Sequence, residues 1–247
     1  MYNLGLVSVS FRPLCAEEVL RAMVENGLKY VEWGSDVHAP YTDGERLAQV
    51  AALQERYGVK CSSYGTYFRF GVTPMEELPG YIRAAKLLGT DILRLWAGNR
   101  SPEKYTEKER NELFDQCRQA AAMAEAAGVT LCMECHRNTY TETPEGALEM
   151  MQAVASPAFR MYWQPRQTES VETNIAYLRQ LKSYVDHLHV FHWKGDARLP
   201  LADGVEEWKA YLNELSGDRT LLLEFMPDNQ VESLPAEAAA LRQIALG

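Results

Sequence analysis

The sequence predicts an α/β chain folded as a single (βα)8 TIM barrel spanning residues 1–247, and three observations carry that expectation. Its 247 residues match the usual size of one such barrel, roughly 250 residues. Short apolar runs rich in β formers alternate eight times with longer amphipathic segments, the pattern of parallel strands joined by crossover helices. The runs begin about every 30 residues, the length of one βα unit.

In chain order the strand candidates are 4–10, 30–33, 60–64, 92–96, 130–135, 161–164, 188–192 and 221–225. The segments between them carry helix boundary signals. Thr42-Asp-Gly-Glu45 precedes an apolar-periodic run that Gly58 closes, a start and stop of the expected chemistry. Pro74 opens the third helix and Gly89 closes it; the alanine-rich stretch 121–127 runs into Gly128, and Thr143-Pro-Glu145 opens the fifth. No Pro/Ser-rich linker, charge block or low-complexity tract interrupts the rhythm, so no domain boundary is expected. A doubly wound open sheet is the structural alternative, but the chain has no GxGxxG or GxxxxGK[ST] loop to support its nucleotide-binding form.

Composition narrows the partners. With 25 Lys plus Arg against 34 Asp plus Glu, a formal charge of −9, the overall field repels phosphate backbones and anionic lipid, so neither nucleic acid nor membrane is expected. The N-terminal stretch lacks a basic region, an apolar core and a cleavage site, and apolar runs are short, so a cytoplasmic protein is expected. Five scattered cysteines suit reduced thiols. Cys132-Met-Glu-Cys135 has the CxxC spacing, but it falls inside a strand, where alternation sends the thiols to opposite faces. Monomer and homo-oligomer are equally compatible with this composition.

Catalytic groups of a parallel barrel sit where strands end on the C-terminal face. Four strand ends there each supply one donor: Glu134, Gln164, His192 and Glu224, with gaps of 30, 28 and 32 residues. Four neighbouring strands would thus aim their side chains at one point. A buried carboxylate must be paired or neutralised, and two converging ones repel. A divalent cation removes both difficulties, and a shell of hard oxygens with one imidazole suits Mn²⁺, Mg²⁺, Co²⁺ or Zn²⁺ rather than Ca²⁺. Within Asp186-His-Leu-His-Val-Phe-His192, alternation puts residues 188, 190 and 192 on one face. His192, the last, is therefore expected at the catalytic rim, with His187 and His189 facing the helices.

These residues resemble the xylose isomerase-like barrel superfamily, the sugar phosphate isomerase/epimerase group that also holds inosose isomerases and dehydratases and the apurinic-site (AP endonuclease family 2) enzymes. The resemblance spans the chain. It implies a metal held by Glu, Asp, His and Glu at the ends of strands five to eight, with Glu134, His192 and Glu224 on three of those positions. It also implies a substrate contact for Arg198, six residues beyond His192 in His-Trp-Lys-Gly-Asp-Ala-Arg. Gln164 departs from the group's Asp, leaving a neutral carbonyl donor, and Gln167 stands where its epimerases often carry a substrate-binding His. The endonuclease branch needs additional His and Asp for a metal cluster, which five histidines, three in one strand, do not supply.

The resemblance implies an isomerase or epimerase of a small keto-sugar or inosose-type substrate, working through a metal-stabilised enediolate with Glu134 and Glu224 as opposed proton carriers. A dehydratase of a keto-polyol on the same site is the first alternative, with His136 or Lys194 as the acid. A metal-free binding or scaffold barrel, its carboxylates satisfied by Arg94 or Arg198, is the second. Further candidates at the rim are Glu32, Trp33, His38, Tyr64, Arg94, Trp96, His136, Arg137, Lys194 and Asp196. Of these, Trp33 and Trp96 could wall a sugar, while His38 and His136 could hydrogen-bond it.

Overall fold

An apolar strand buried on both faces needs strands on either side and helices outside, and closing the sheet meets that need for all eight runs at once. The computed structural model describes residues 2–247 and shows that closure. The staves are β1 (Tyr2–Val7), β2 (Tyr30–Gly34), β3 (Lys60–Phe70), β4 (Ile92–Ala97), β5 (Thr130–Glu134), β6 (Phe159–Trp163), β7 (Val185–Val190) and β10 (Arg219–Leu223). All neighbouring pairs are parallel, and β1 closes the ring by pairing with both β2 and β10. The helices are α1 (Ala16–Glu25), α2 (Gly44–Tyr57), α3 (Leu78–Leu87), α4 (Glu107–Ala127), α5 (Pro144–Val154), α6 (Val171–Leu181), α7 (Val205–Leu212) and α8 (Leu234–Leu246).

Local chemistry sets the ends. Asp43 caps α2 through the Arg46 amide, and Gly58 closes it in the left-handed conformation. Thr106 and Glu109 cap α4 reciprocally, and Thr143 caps α5 with Pro144 following. All eight strand expectations overlap a stave, but the first starts two residues late and ends three late, and the last three start two or three residues too late. Arg160, Asp186 and Arg219 are the reason: they belong to the strands yet are charged, and Arg160 pairs with Asp186 across β6 and β7 at 2.9 Å. Reading only the apolar residues therefore starts each of those strands late. The opposite error falls at the end of β7, which stops at Val190. His192–Lys194 then forms a short strand, β8, pairing antiparallel with β9 (Ala197–Leu199) outside the barrel.

Two cores result. The larger lies between staves and helices and includes Leu131, Met133, Trp163, Leu188, Val190 and Leu223. A small plug of Val7, Val9, Cys132, Tyr162 and Leu222 fills the barrel interior. Cys132 joins the plug and Cys135 the outer core, so the two thiols face opposite ways. No helix of the described residues is long and apolar enough to cross a membrane. At the bottom of the barrel the staves approach so closely that a Cβ on Gly5 would collide with the Tyr30 carbonyl of the next strand and lie 2.7 Å from Leu222.

Gly5→Ala should therefore destabilise the fold by about 3 kcal/mol or more, since backbone cannot yield as a side chain can. Gly44→Ala, at a position with open space around it, should be neutral or mildly stabilising. Thermal unfolding followed by circular dichroism separates them, with an expected fall of roughly 6–12 °C for the first variant only.

Candidate active site and metal centre

Where β5, β6, β7 and β10 end, four side chains converge. Glu134 closes β5 and is nearly fully buried; Gln164 and Glu224 each follow the last residue of their strand and are also buried. The imidazole among them belongs to His189. Its Nδ1 lies 3.2 Å from Gln164 Oε1, 3.5 Å from Glu134 Oε1 and 3.5 Å from Glu224 Oε2. The Gln164 amide is oriented by its Nε2, which donates to the Cys135 carbonyl at 3.0 Å.

His192, the ligand expected from strand parity, is not in this group. It sits on β8, where its Nδ1 lies 3.7 Å from Glu207 of α7 and its Nε2 is buried without a partner among the described residues. The faces of β7 are the reverse of the expectation: Leu188 and Val190 pack in the outer core, while His187 and His189 turn inward against Tyr162. The signal lay in the neighbouring strands. Leu131 and Met133 flank Cys132 on the helix side, as Leu221 and Leu223 flank Leu222, so the inward parity of those strands is that of Cys132 and Leu222, which Glu134 and Glu224 share.

Below the imidazole lies a second layer of buried polar groups. His189 Nε2 is 3.3 Å from Glu32 Oε2, and Glu32 also accepts from Ser63 Oγ at 3.1 Å and Arg94 Nε at 3.1 Å. Arg94 reaches Glu134 through Nη1 at 3.1 Å, and Trp96 donates to the same Glu134 oxygen at 2.7 Å. Gly65 leaves room for this pair, because a Cβ there would lie 2.5 Å from Glu32 Oε1 and 2.8 Å from Arg94 Nη2. Burial opposes the charge on every member. Against it, Arg94 and His189 hold Glu32 down to about 2 and push Glu134 lower still, whereas burial, aided by Glu134, raises Glu224. Despite its own burial, His189 is pushed up to about 10 by Glu224, Glu32 and Glu134.

The donor set fits a divalent cation on two grounds. Three oxygens crowd one ring nitrogen, which carries at most one hydrogen and cannot serve three acceptors. A cation could take all four atoms, with the far ring N–H donating to Glu32 as a metal-bound imidazole usually donates to a carboxylate. Charge gives the same answer: Glu32, Glu134 and Glu224 face one guanidinium, and a 2+ ion beside a neutral His189 cancels the remainder. One ligand atom each from Glu134, His189 and Glu224 already lies within 4.8 Å of the others. Arg94 thus does part of what a metal-free scaffold would require of it, but not all; Arg198 pairs with none of these carboxylates.

Above the cluster opens a cavity of about 580 Å³, within the range of small-molecule sites. Trp96, His136, Gln167, Arg137, Asp196 and Arg198 line it, together with Tyr67, Arg166, Trp193 and Phe225, which no strand-end pattern in the sequence marks. Trp33 and His38 do not reach it. Trp33 is fully buried, bonded through Nε1 to Gln54, and His38 Nε2 contacts the Leu14 carbonyl at 3.0 Å. Tyr64 is likewise buried, donating to the Ala39 carbonyl. With His189 as the imidazole, Arg198 no longer follows it by six residues; its place in the cavity comes from the β8–β9 hairpin.

Residues 20–244 match the family described as xylose isomerase-like TIM barrel. A curated 3-dehydroshikimate dehydratase of Bacillus anthracis is 20% identical, covering 97% of this chain and 96% of that protein. The crystal structure of the probable 3-DHS dehydratase AsbF from Bacillus anthracis superposes with a TM-score of 0.81 at 18% identity, covering 98% of this chain and 99% of that one. D-psicose 3-epimerase of Clostridium cellulolyticum, solved with D-tagatose, gives 0.71 at 14% identity, with 99% and 98% covered.

Elemental analysis of protein purified without chelator should find about one divalent ion per chain. Glu134→Ala and His189→Ala should lose it while circular dichroism shows them folded, and His192→Ala should keep it. Loss in His192→Ala alone would return the imidazole role to the β8 residue.

Proposed function

The chain belongs to the xylose isomerase-like TIM barrel family, and from that premise we propose that it removes a proton beside the carbonyl of a small polyhydroxylated substrate, with elimination of water as the favoured outcome. The observation that carries this reading is the unequal state of the two rim carboxylates. Glu134 is held: one of its oxygens takes both Trp96 and Arg94. Glu224 accepts no hydrogen bond from any described side chain, its nearest partner being His189 at 3.5 Å. Environments that separate two carboxylates in this way assign them different work.

Glu134, Gln164, His189 and Glu224 would hold the divalent cation, which when bound supplies a Lewis acid for the substrate carbonyl. Glu224 is the base for the proton on the neighbouring carbon. As the C–H bond breaks, its electrons form the new double bond and the hydroxyl one carbon further leaves. His136, as the imidazolium, would protonate that hydroxyl from Nε2, so that water departs; in support, it lines the cavity beside Trp96, its Nδ1–H donates to the Arg137 carbonyl at 2.7 Å and its Nε2 is bonded to no described residue. Lys194, the other acid considered, is exposed and lines a separate, smaller cavity instead. Likeness to a dehydratase over nearly the whole chain supports the elimination reading.

Isomerisation or epimerisation is the second reading, favoured by Glu134 Oε1. That oxygen faces the cluster, 3.5 Å from His189 Nδ1 and without a hydrogen bond among the described residues, so it could return a proton from the opposite side, and an epimerase shares the fold.

Incubation in D2O with a divalent ion and either 3-dehydroshikimate or D-tagatose separates the readings. Elimination gives a conjugated, ultraviolet-absorbing product; epimerisation gives deuterium beside the carbonyl with no loss of water. Glu224→Gln should slow exchange by about 10²–10⁴-fold, the usual worth of a general base. His136→Asn should impair elimination while sparing exchange. Wild-type protein that neither eliminates nor exchanges with either compound would sink the proposal.

A further inference from the structure

The cavity wall has one arginine, Arg198, without an ion pair among the described residues; Glu224 is the carboxylate whose field reaches it. Arg12 pairs with Asp36 at 2.6 Å, Arg137 with Asp196 at 3.4 Å, Arg166 with Glu169 at 3.6 Å, and Arg94 with Glu32 and Glu134. Arg198 has no carboxylate partner among the described residues. Its Nη1 instead donates to the neutral amide oxygen of Asn229, and its guanidinium lies 4.8 Å from the Trp193 ring and 4.5 Å from the Phe225 ring. Stacking and one neutral hydrogen bond fix the fork in place and leave its remaining N–H donors unspent.

The seat of this arginine is built at a backbone cost. Phe225 and Asn229 both stand at φ +60°. Asn tolerates that conformation, but for a bulky residue it is strained and persists only where the surroundings enforce it. Ser10 provides part of that enforcement, since its Oγ accepts from the Phe225 amide at 2.8 Å. Phe225 directly follows Glu224, so the same turn that delivers the base sets the ring beneath Arg198. The arginine and the reacting group are thereby tied at a fixed separation across one cavity.

Resting on the reaction class proposed above, we infer that the substrate is an anion, whose carboxylate or phosphate group docks on Arg198 while its carbonyl end faces Glu134, His189 and Glu224. A planar guanidinium fork matches either anion through two parallel hydrogen bonds. A neutral sugar would leave that charge unmatched in a partly buried wall. The overall charge of −9 makes such a local cation all the more necessary, because the molecule's general field repels anions.

Isothermal titration of wild type with two matched pairs tests this: shikimate against its methyl ester for the carboxylate, and glycerol 3-phosphate against glycerol for the phosphate. The wild type should favour at least one anionic member by roughly tenfold to a hundredfold, the worth of a charge-assisted bond, and the pair that shows it identifies the anion. Arg198→Gln should abolish the preference without weakening the neutral probe, and Arg198→Lys should retain part of it, with circular dichroism confirming both folded. A wild type that favours neither anion, or a preference undiminished in folded Arg198→Gln, would overturn the inference. An Arg198-dependent preference without turnover would leave it standing and remove the reaction reading; turnover of D-tagatose with no anion preference would do the reverse.

Discussion

Three carboxylates enclosed in one barrel are the constraint around which the structure is arranged. Glu32, Glu134 and Glu224 are each buried, and an unpaired charge in such a place costs several kcal/mol or is lost to protonation. Arg94 answers Glu32 and Glu134 from the middle of β4, and Gly65 on the next stave supplies the space its guanidinium needs. His189 fills the remaining gap between the two layers, with Glu32 on one nitrogen and three oxygens on the other. With His189 neutral, the protein's own groups leave two negative charges around a single nitrogen, a deficit that a divalent cation would fill.

Gln164 gains a reason in this setting. A fourth carboxylate at the end of β6 would add a further negative charge to a cluster that one guanidinium and one divalent cation would balance. The amide keeps a carbonyl oxygen toward His189, and the Cys135 carbonyl holds it that way. The same accounting explains why Glu134 and Glu224 differ although they end equivalent strands. Arg94 and Trp96 arrive from the β4 side and reach Glu134. On the far side stand Phe225 and Trp193, whose rings stack on Arg198. One wall of the cavity is thus spent on fixing an anion of the protein, and the opposite wall presents a cation to the cavity.

The fold was largely legible because burial on both faces leaves a periodic trace: eight apolar runs, spaced by one βα unit and punctuated by caps and glycines. Glu134, Gln164 and Glu224 were legible for a related reason, as single polar residues where such runs end. The histidine was not, because the apolar run at 188–192 continues past the point where the backbone leaves the barrel. Parity counted from the wrong strand end puts His192 at the rim and His189 outside, when β7 stops at Val190 and His192 opens a separate hairpin. Trp33 and His38 misled similarly, since proximity to a strand end does not say which way a side chain points.

The sequence by itself determined the barrel, the order of its staves and three of the four side chains that converge at its rim, since these follow from hydrophobic period and from the cost of a polar residue at a buried strand end. Only the tertiary structure decided which imidazole joins them, that Glu32 and Arg94 from distant staves complete the charge balance, and that Arg198 reaches the cavity unpaired. Those are matters of register around a closed ring and of where one strand ends. No local pattern records them, because each depends on residues brought together from across the chain.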